Sequence, residues 1–281
     1  MPIQDLQNRV FLKDIMEVLR ELPNCSVDMV YGDPDYNVGV RYNDRSYTRT
    51  FVEYIEWYIQ LARESLRVLK GTGNLFLINY PKQNAYLRSR FLDDACYEVL
   101  DYAWVYNTNV GHSPKRLTTA HRSILHCRKT TNNRFYKDNI AVPYQNLTDR
   151  RIRHNLANGS KGRMPYDWFY YDLVKNVSRE KTFHACQIPQ ALSEMLIKSC
   201  TLPGDVVLIL FGGSGSEVEV CRKLHRNYIS AEIDPKYHAM IVDRLKNGHI
   251  QDNYRLLPRK RKSDKTTPEL FPIDNVAKSN P

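Results

Sequence analysis

Short apolar runs alternate along the chain with segments whose apolar residues recur at helical spacing. Val10-Phe11-Leu12 predicts a short strand, and Asp14 is placed to cap a helix through Leu22 with Ile15, Val18, Leu19 and Leu22 on one face. Val27 to Tyr31 predicts the next strand. Thr50 can cap a helix through Leu69, with Ile55, Tyr58, Ile59, Ala62, Leu66 and Leu69 in register, and Gly71-Thr72-Gly73 is expected to end it. Asn74 to Ile78 is a continuous apolar run of the kind covered on both faces. A helix over about Lys82 to Leu92 and strands over Tyr102 to Asn107 and Arg122 to Cys127 follow. After a break, a helix from Pro189 to Cys200, a strand from Val206 to Phe211, a helix from Glu217 to Leu224, a strand from Asn227 to Ala231 and a helix from Pro235 to Lys246 resume the alternation. This order predicts an α/β fold: a mostly parallel sheet with helices on both faces and a hairpin-like pair at one edge.

The break lies at residues 128–181, where periodicity fades and charge changes. The chain has 281 residues and a formal net charge of +10. Residues 1–127 hold 15 basic and 15 acidic side chains; residues 128–181 hold 12 and 5, residues 182–254 hold 7 and 8, and residues 255–281 hold 7 and 3. A near-neutral body with a local basic block suggests a polyanion footprint rather than a generally cationic surface, with a solvated, mobile insertion that happens to be basic as the alternative. Within the block, Arg150, Arg151, Arg153, Lys161 and Arg163 are candidates for a phosphate backbone. The neighbouring Tyr166, Trp168, Phe169, Tyr170 and Tyr171 fit equally a small core or a platform on which bases stack. The four predicted regions are thus 1–127, the insertion 128–181, 182–254 and a basic tail, 255–281, with Arg259-Lys260-Arg261-Lys262 and a composition that predicts disorder.

The six cysteines form no Cys-x-x-Cys pair and no ligand spacing with histidines, so neither zinc nor a disulfide framework is expected. No run reaches the length of a membrane span and the amino terminus lacks a signal pattern, which predicts a soluble, cytoplasmic protein.

Two turns carry the candidate chemistry. The strand ending at Tyr31 runs into Gly32-Asp33-Pro34-Asp35-Tyr36, presenting acids and an aromatic ring where ligands sit in open α/β sheets. The strand ending at Phe211 runs into Gly212-Gly213-Ser214-Gly215-Ser216 and then a helix, so the backbone can approach a ligand closely. The next strand delivers Glu232, an acid suited to two ribose hydroxyls. Together these favour an adenosine-containing cofactor.

The order of the Asp33-Pro34-Asp35-Tyr36 turn, the basic insertion, His184-Ala185-Cys186-Gln187-Ile188-Pro189 and Phe211-Gly212-Gly213-Ser214-Gly215 resembles the β group of DNA amino-methyltransferases. Connecting text such as Arg67-Val68-Leu69-Lys70-Gly71 and Arg226-Asn227-Tyr228-Ile229 extends the resemblance from about Val10 to Leu245. It implies a Rossmann-like, seven-stranded methyltransferase fold that transfers methyl from S-adenosylmethionine to adenine N6 in a flipped-out base of double-stranded DNA. Asp33, Pro34 and Tyr36, with Asp35 beside them, are the implied catalytic turn. Asp14, Ile15, His184, Gln187, Phe211 to Ser216 and Glu232 are the implied cofactor contacts, and residues 128–181 the target-recognition region.

Two departures accompany the resemblance. Asp35 stands where the family has a second proline, and Ile209-Leu210 stands where it has an Asp-Pro pair that contacts the cofactor's amino group. Cytosine-N4 transfer, or a weakly active or silent DNA-binding subunit, are the alternatives it carries. A cognate restriction endonuclease and a homodimeric or heterodimeric partner are compatible with it, and no membrane is implied.

Overall fold

The computed structural model describes residues 2–42, 45–46, 49–107, 114–175, 178 and 180–256. Its elements in order are β1 (Arg9–Phe11), α1 (Ile15–Glu21), β2 (Val27–Gly32), β3 (Arg41–Tyr42), β4 (Arg45–Ser46), α2 (Phe51–Val68), β5 (Leu69–Asn79), α3 (Pro81–Leu87), α4 (Asp93–Ala95), β6 (Glu98–Val105) and β7 (His121–Arg128). These are followed by α5 (Arg150–Ala157), β8 (Trp168–Tyr170), α6 (Gln190–Cys200), β9 (Val206–Ile209), α7 (Ser216–Lys223), β10 (Asn227–Ala231) and α8 (Pro235–Asn247). The basic tail Arg259 to Lys262 lies outside the described residues. Among the described residues, no helix is long and apolar enough to cross a membrane.

Local chemistry starts the helices where the side chains allow it. Asp14 accepts the Met16 amide at 2.8 Å to open α1, and Asp234 accepts the Lys236 amide at 2.8 Å to open α8. At α2, Thr50 and Glu53 form a reciprocal capping box. The helix predicted over Lys82 to Leu92 is broken into α3, a π turn at Arg88–Leu92 and the short α4.

The main sheet has the order β1-β10-β9-β2-β5-β7-β6-β8. β1, β10, β9, β2 and β5 are parallel, β7 is antiparallel to both β5 and β6, and β8 is parallel to β6. The sheet therefore has eight strands and not the expected seven. The extra one comes from within residues 128–181, where Trp168, Phe169 and Tyr170 pair with Ala103, Trp104 and Val105. In the central strands, alternate residues enter opposite cores. Leu75, Leu77 and Leu208 face the core shared with α1 and α2, whereas Phe76, Ile78, Val207 and Ile209 face the core shared with α6 and α7.

Gly71-Thr72-Gly73 does not end an element, contrary to expectation. β5 begins at Leu69, opposite Val27, and passes through the glycines to place Asn74 opposite Met29. The extra residues form a bulge, and a Cβ at Gly73 would come within 2.7 Å of the Asp28 carbonyl oxygen. Close backbone approach, rather than chain reversal, is what these glycines permit.

Asp28 fastens the opposite end of the sheet. Buried at the start of β2, it accepts from Lys70 at 2.9 Å, from Arg134 at 3.1 Å and from the Val206 amide at 3.0 Å. Arg134 also pairs with Asp205, and its carbonyl accepts from the Asn74 side chain at 2.8 Å. The chain just after β7 is thereby tied to the central strands. Replacing Asp28 with Ala leaves these donors short of an acceptor and is expected to cost about 2–3 kcal/mol, read as a lower urea midpoint with an unchanged slope. A midpoint equal to wild type would remove this node from the account of stability.

Candidate active site

The carboxyl ends of β2, β9 and β10 meet at one cleft because these three neighbours are parallel. Its lining includes Asp14, Ile15, Asp33, Pro34, Asp35, Tyr36, His184, Gln187, Phe211, Gly212, Gly213, Ser214 and Glu232. All of these were expected from sequence. Gly215 and Ser216 are set back from it: Gly215 adopts φ +74° as the residue before α7, and the Ser216 and Ser214 hydroxyls are 2.8 Å apart.

The glycine turn is held as a cradle. Gly212 donates to the Ala231 carbonyl at 2.7 Å, and the Gly215 amide returns to the Gly212 carbonyl at 2.8 Å. A Cβ at Gly212 would meet Ile241 at 2.7 Å, and Gly213 needs φ +53°. Glu232 is buried beside the turn, where its two carboxylate oxygens accept from the Gly213 and Asp234 amides, both at 2.8 Å. Burial raises its pKa against those bonds. Each oxygen retains acceptor capacity, so Glu232 suits vicinal hydroxyls. With Ile15, Phe211 and Ile233 also lining the cleft, these residues fit an adenosine-bearing ligand.

His184 closes over this cradle. Its ring lies 4.5 Å from that of Tyr237, edge to face, and its Nδ1 is hydrogen-bonded to the Cys186 carbonyl. Burial pushes its pKa down to about 4, so the imidazole is neutral at neutral pH. Gln187 lines the cleft, but its amide builds the segment: its oxygen accepts from the Thr182 amide at 3.1 Å and its nitrogen donates to the Glu180 carbonyl at 2.8 Å. Asp14 is likewise engaged as the cap of α1.

At the other end of the cleft, the Tyr36 hydroxyl donates to Asp33. The Tyr36 ring is buried, 5.4 Å edge-on from Tyr80, and the Arg122 guanidinium stands 3.8 Å from the Tyr80 ring and 5.2 Å from that of Tyr36. Burial pushes the Asp33 carboxyl up to about 7, with Tyr36 and Arg122 opposing and Glu217 and Asp35 adding to the shift. Asp35 accepts the Asn37 amide at 3.2 Å through one oxygen, and its other oxygen is buried without a hydrogen bond. Burial raises its pKa also, while Arg49 acts in the opposite sense.

Sequence reasoning did not find Tyr31, Tyr54, Trp57 or Glu217, all of which line the cleft. Nor did it find Arg122, whose place depends on β7 lying two strands from β2. Glu217 offered one signal: it is an acid directly after the glycine turn.

The five basic residues expected on nucleic acid do not line the cleft. Arg150, Arg151 and Arg153 share α5 and are exposed, and Lys161 is exposed in the following loop. The Arg163 guanidinium lies 4.2 Å from the Tyr166 ring centre. β8 sorts the aromatic group by alternation: Phe169 and Tyr171 pack into the core, while Tyr166, Trp168 and Tyr170 remain at least half exposed. Tyr166 and Trp168 are stacked at 6.1 Å.

Comparison with known proteins is consistent in kind. A family model described as DNA methylase, of the N6/N4 methyltransferase type, matches residues 27–243. The chain is 29% identical to Type II methyltransferase M.BglII of Bacillus subtilis, over 88% of this chain and 71% of that protein. It is 26% identical to DNA adenine methyltransferase YhdJ of Escherichia coli (strain K12), over 83% and 80% respectively. The fold matches that of the PvuII DNA methyltransferase (cytosine-N4-specific), with a TM-score of 0.65 at 19% identity over 88% of each chain. It also matches the M1.HpyAVI-SAM complex, with a TM-score of 0.59 at 21% identity over 84% of this chain and 98% of that one.

Asp33 gives the site a pH signature. Its folded pKa of about 7 lies above the ordinary 3.8, so folding favours the protonated form. The stability this group allows is greatest at acid pH and falls as pH rises through the interval to about 7. The melting temperature of Asp33→Asn minus that of wild type is therefore expected to grow between about pH 4 and about pH 7, then level off. Parallel melting curves across that range would show that Asp33 is not held in this way.

Proposed function

The chain belongs to the N6/N4 DNA methylase family, and on that premise we propose that it methylates the N6 amino group of adenine in a base flipped out of double-stranded DNA. S-adenosylmethionine is the cofactor of this reading; when bound, it supplies a methyl group on a positively charged sulfur for direct displacement. The observation that carries the proposal is Asp33, an acid at the end of β2 whose carboxyl is held by Tyr36 in the same cleft as Glu232 and the glycine cradle.

The residues divide the work by position. Glu232 holds the ribose of the cofactor, Asp14 and Ile15 flank its adenine, and the Phe211-to-Ser214 turn holds its methionine part. The ionised Asp33 carboxylate and the Pro34 carbonyl accept hydrogen bonds from the target amino group, directing the nitrogen lone pair toward the methyl carbon. As the new N–C bond forms, the amino nitrogen becomes positively charged and must lose a proton. A carboxyl with a pKa near 7 is matched to accept it at neutral pH. Tyr36 fixes the orientation of that carboxyl through its hydroxyl, and Arg122 and Tyr80 fix the ring. Burial of these groups excludes competing water.

Adenine is favoured by the Asp-led turn and by the relative named as a DNA adenine methyltransferase. DNA is engaged by the insertion, with α5 on phosphates and the exposed Tyr166-Trp168-Tyr170 face against the duplex or its displaced strand.

Methyl transfer from labelled cofactor to mixed-sequence duplex DNA, followed by chromatography of the nucleosides, tests this directly. N6-methyladenine is expected from wild type, with a loss of at least about a thousandfold in Asp33→Ala. N4-methylcytosine would overturn the base assignment, and no product from wild type would overturn the enzyme. In DNA binding, replacing Arg150, Arg151 and Arg153 together with Ala is expected to reduce the slope of log affinity against log salt by about 2–3. An unchanged slope would place α5 off the DNA.

A further inference from the structure

Six carboxyl groups line the cleft, and five of them accept from the backbone or from the catalytic turn. Asp14 and Asp234 cap helices, Asp33 holds Tyr36, Asp35 accepts the Asn37 amide, and Glu232 accepts two amides. Glu217 differs. It is the second residue of α7, only 6% exposed, and its hydrogen bond to another side chain is from the Ser193 hydroxyl at 3.1 Å. Among the described residues, no Lys, Arg or His forms an ion pair with it. The nearby Arg244 is engaged by Glu219 and by the Ser214 carbonyl. An enclosed carboxylate with no fixed cation is costly to ionise, and a cation brought by a ligand removes that cost.

The surroundings specify where that cation belongs. Ser193 also lies 3.2 Å from the Tyr31 hydroxyl, so Tyr31, Ser193 and Glu217 form a polar row along the α6 side of β2. Tyr31 pairs in register with Ile209 on β9, and both side chains belong to the core on that face of the sheet. Glu217 therefore approaches the cleft floor from the side where Ile209 supplies no acid. It follows the turn after β9, the strand that lies between β10, which delivers Glu232 for the ribose in the proposed reading, and β2, which delivers Asp33 for the base.

We propose that Glu217 binds the α-ammonium group of the amino-acid portion of the cofactor. This rests on the assignment of an S-adenosyl cofactor to the cleft and deepens it. It also accounts for the loss of the acid at Ile209: the carboxylate is supplied from the first turn of α7, where the helix N-terminus stabilises negative charge. Asp35 is less suited, because it closes its own turn by accepting the Asn37 amide.

Binding calorimetry with two probes tests the assignment without turnover. S-adenosylhomocysteine carries the amino acid; 5′-methylthioadenosine shares the nucleoside and lacks it. Glu217→Gln keeps the shape and the Ser193 contact, and is expected to weaken S-adenosylhomocysteine by about tenfold or more, the scale of a lost hydrogen bond to a charged group. Methylthioadenosine affinity is expected to stay within about twofold. Equal loss for both probes, or no loss for either, would overturn the role of Glu217 while leaving the cofactor assignment intact. Failure of wild type to bind either probe would overturn the cofactor assignment itself.

A second readout is the pH dependence of the affinity ratio of the two probes. The groups facing Glu217 are Tyr31 and Asp33 from the end of β2, Cys221 from its own helix and Arg244 from α8. Tyr31 and Cys221 stay neutral, since their pKa values are pushed up by burial, and Asp33 acts on both probes. Burial pushes Glu217 up to about 7, so the wild-type preference for S-adenosylhomocysteine is expected to fall as pH drops below about 7. In Glu217→Gln the ratio should be flat; a wild-type ratio equally flat would contradict the inference.

Discussion

One row of in-register parallel pairing governs the cleft: Val10 opposite Ser230, Ser230 opposite Ile209, and Ile209 opposite Tyr31. Because the strands run the same way, the residues just beyond that row emerge together at one edge. They are Glu232 after β10, the Phe211-Gly212-Gly213 turn after β9 and Asp33 after β2. A slip of one residue in any of the three would turn its side chains to the opposite face and disperse the site. Asp28 and Arg134 fasten the far end of the same strands, so stability and site geometry share a cause.

The consequence is an unusual density of acids in a buried place. Asp33 and Glu217 are both pushed up to about 7 by burial, and each raises the cost of ionising its neighbours. In the free protein this arrangement lowers stability as pH rises from about 4 to about 7. In the proposed complex the same groups meet a target amino group and a ligand ammonium, so the unfavourable burial becomes binding and orientation. Functional sites commonly hold such perturbed pairs. Among the described residues that line the cleft, Lys13 and Arg49 are the only lysine and arginine, so its acids suit positively charged or hydrogen-bond-donating partners.

Much of this was legible in the chain because local rules and tertiary structure agree. Asp14, Thr50 and Asp234 cap the helices that follow them, and Glu232 ends a strand beside a glycine turn. Where the two disagree, sequence reading fails for identifiable reasons. Gly71 and Gly73 read as a stop, but pairing with β2 carries the strand through them as a bulge. β8 was hidden because the run Tyr166 to Tyr171 alternates between core and surface, which made one aromatic group from two. Glu217 was hidden for a third reason. Acids are ordinary in the first turn of a helix, and only its enclosure beside Ser193 and Tyr31 sets it apart. Arg122 depends wholly on strand order and has no local signature.

The claim that binds these observations is that one cleft holds the cofactor and the target base side by side, with Glu232 and Asp33 at its two ends. A crystal structure with S-adenosylhomocysteine bound tests it most directly. The account predicts the ribose hydroxyls on the Glu232 carboxylate and the sulfur turned toward the Asp33-Pro34-Asp35-Tyr36 turn. A ligand bound outside the cleft, or bound with its ribose away from Glu232, would contradict it.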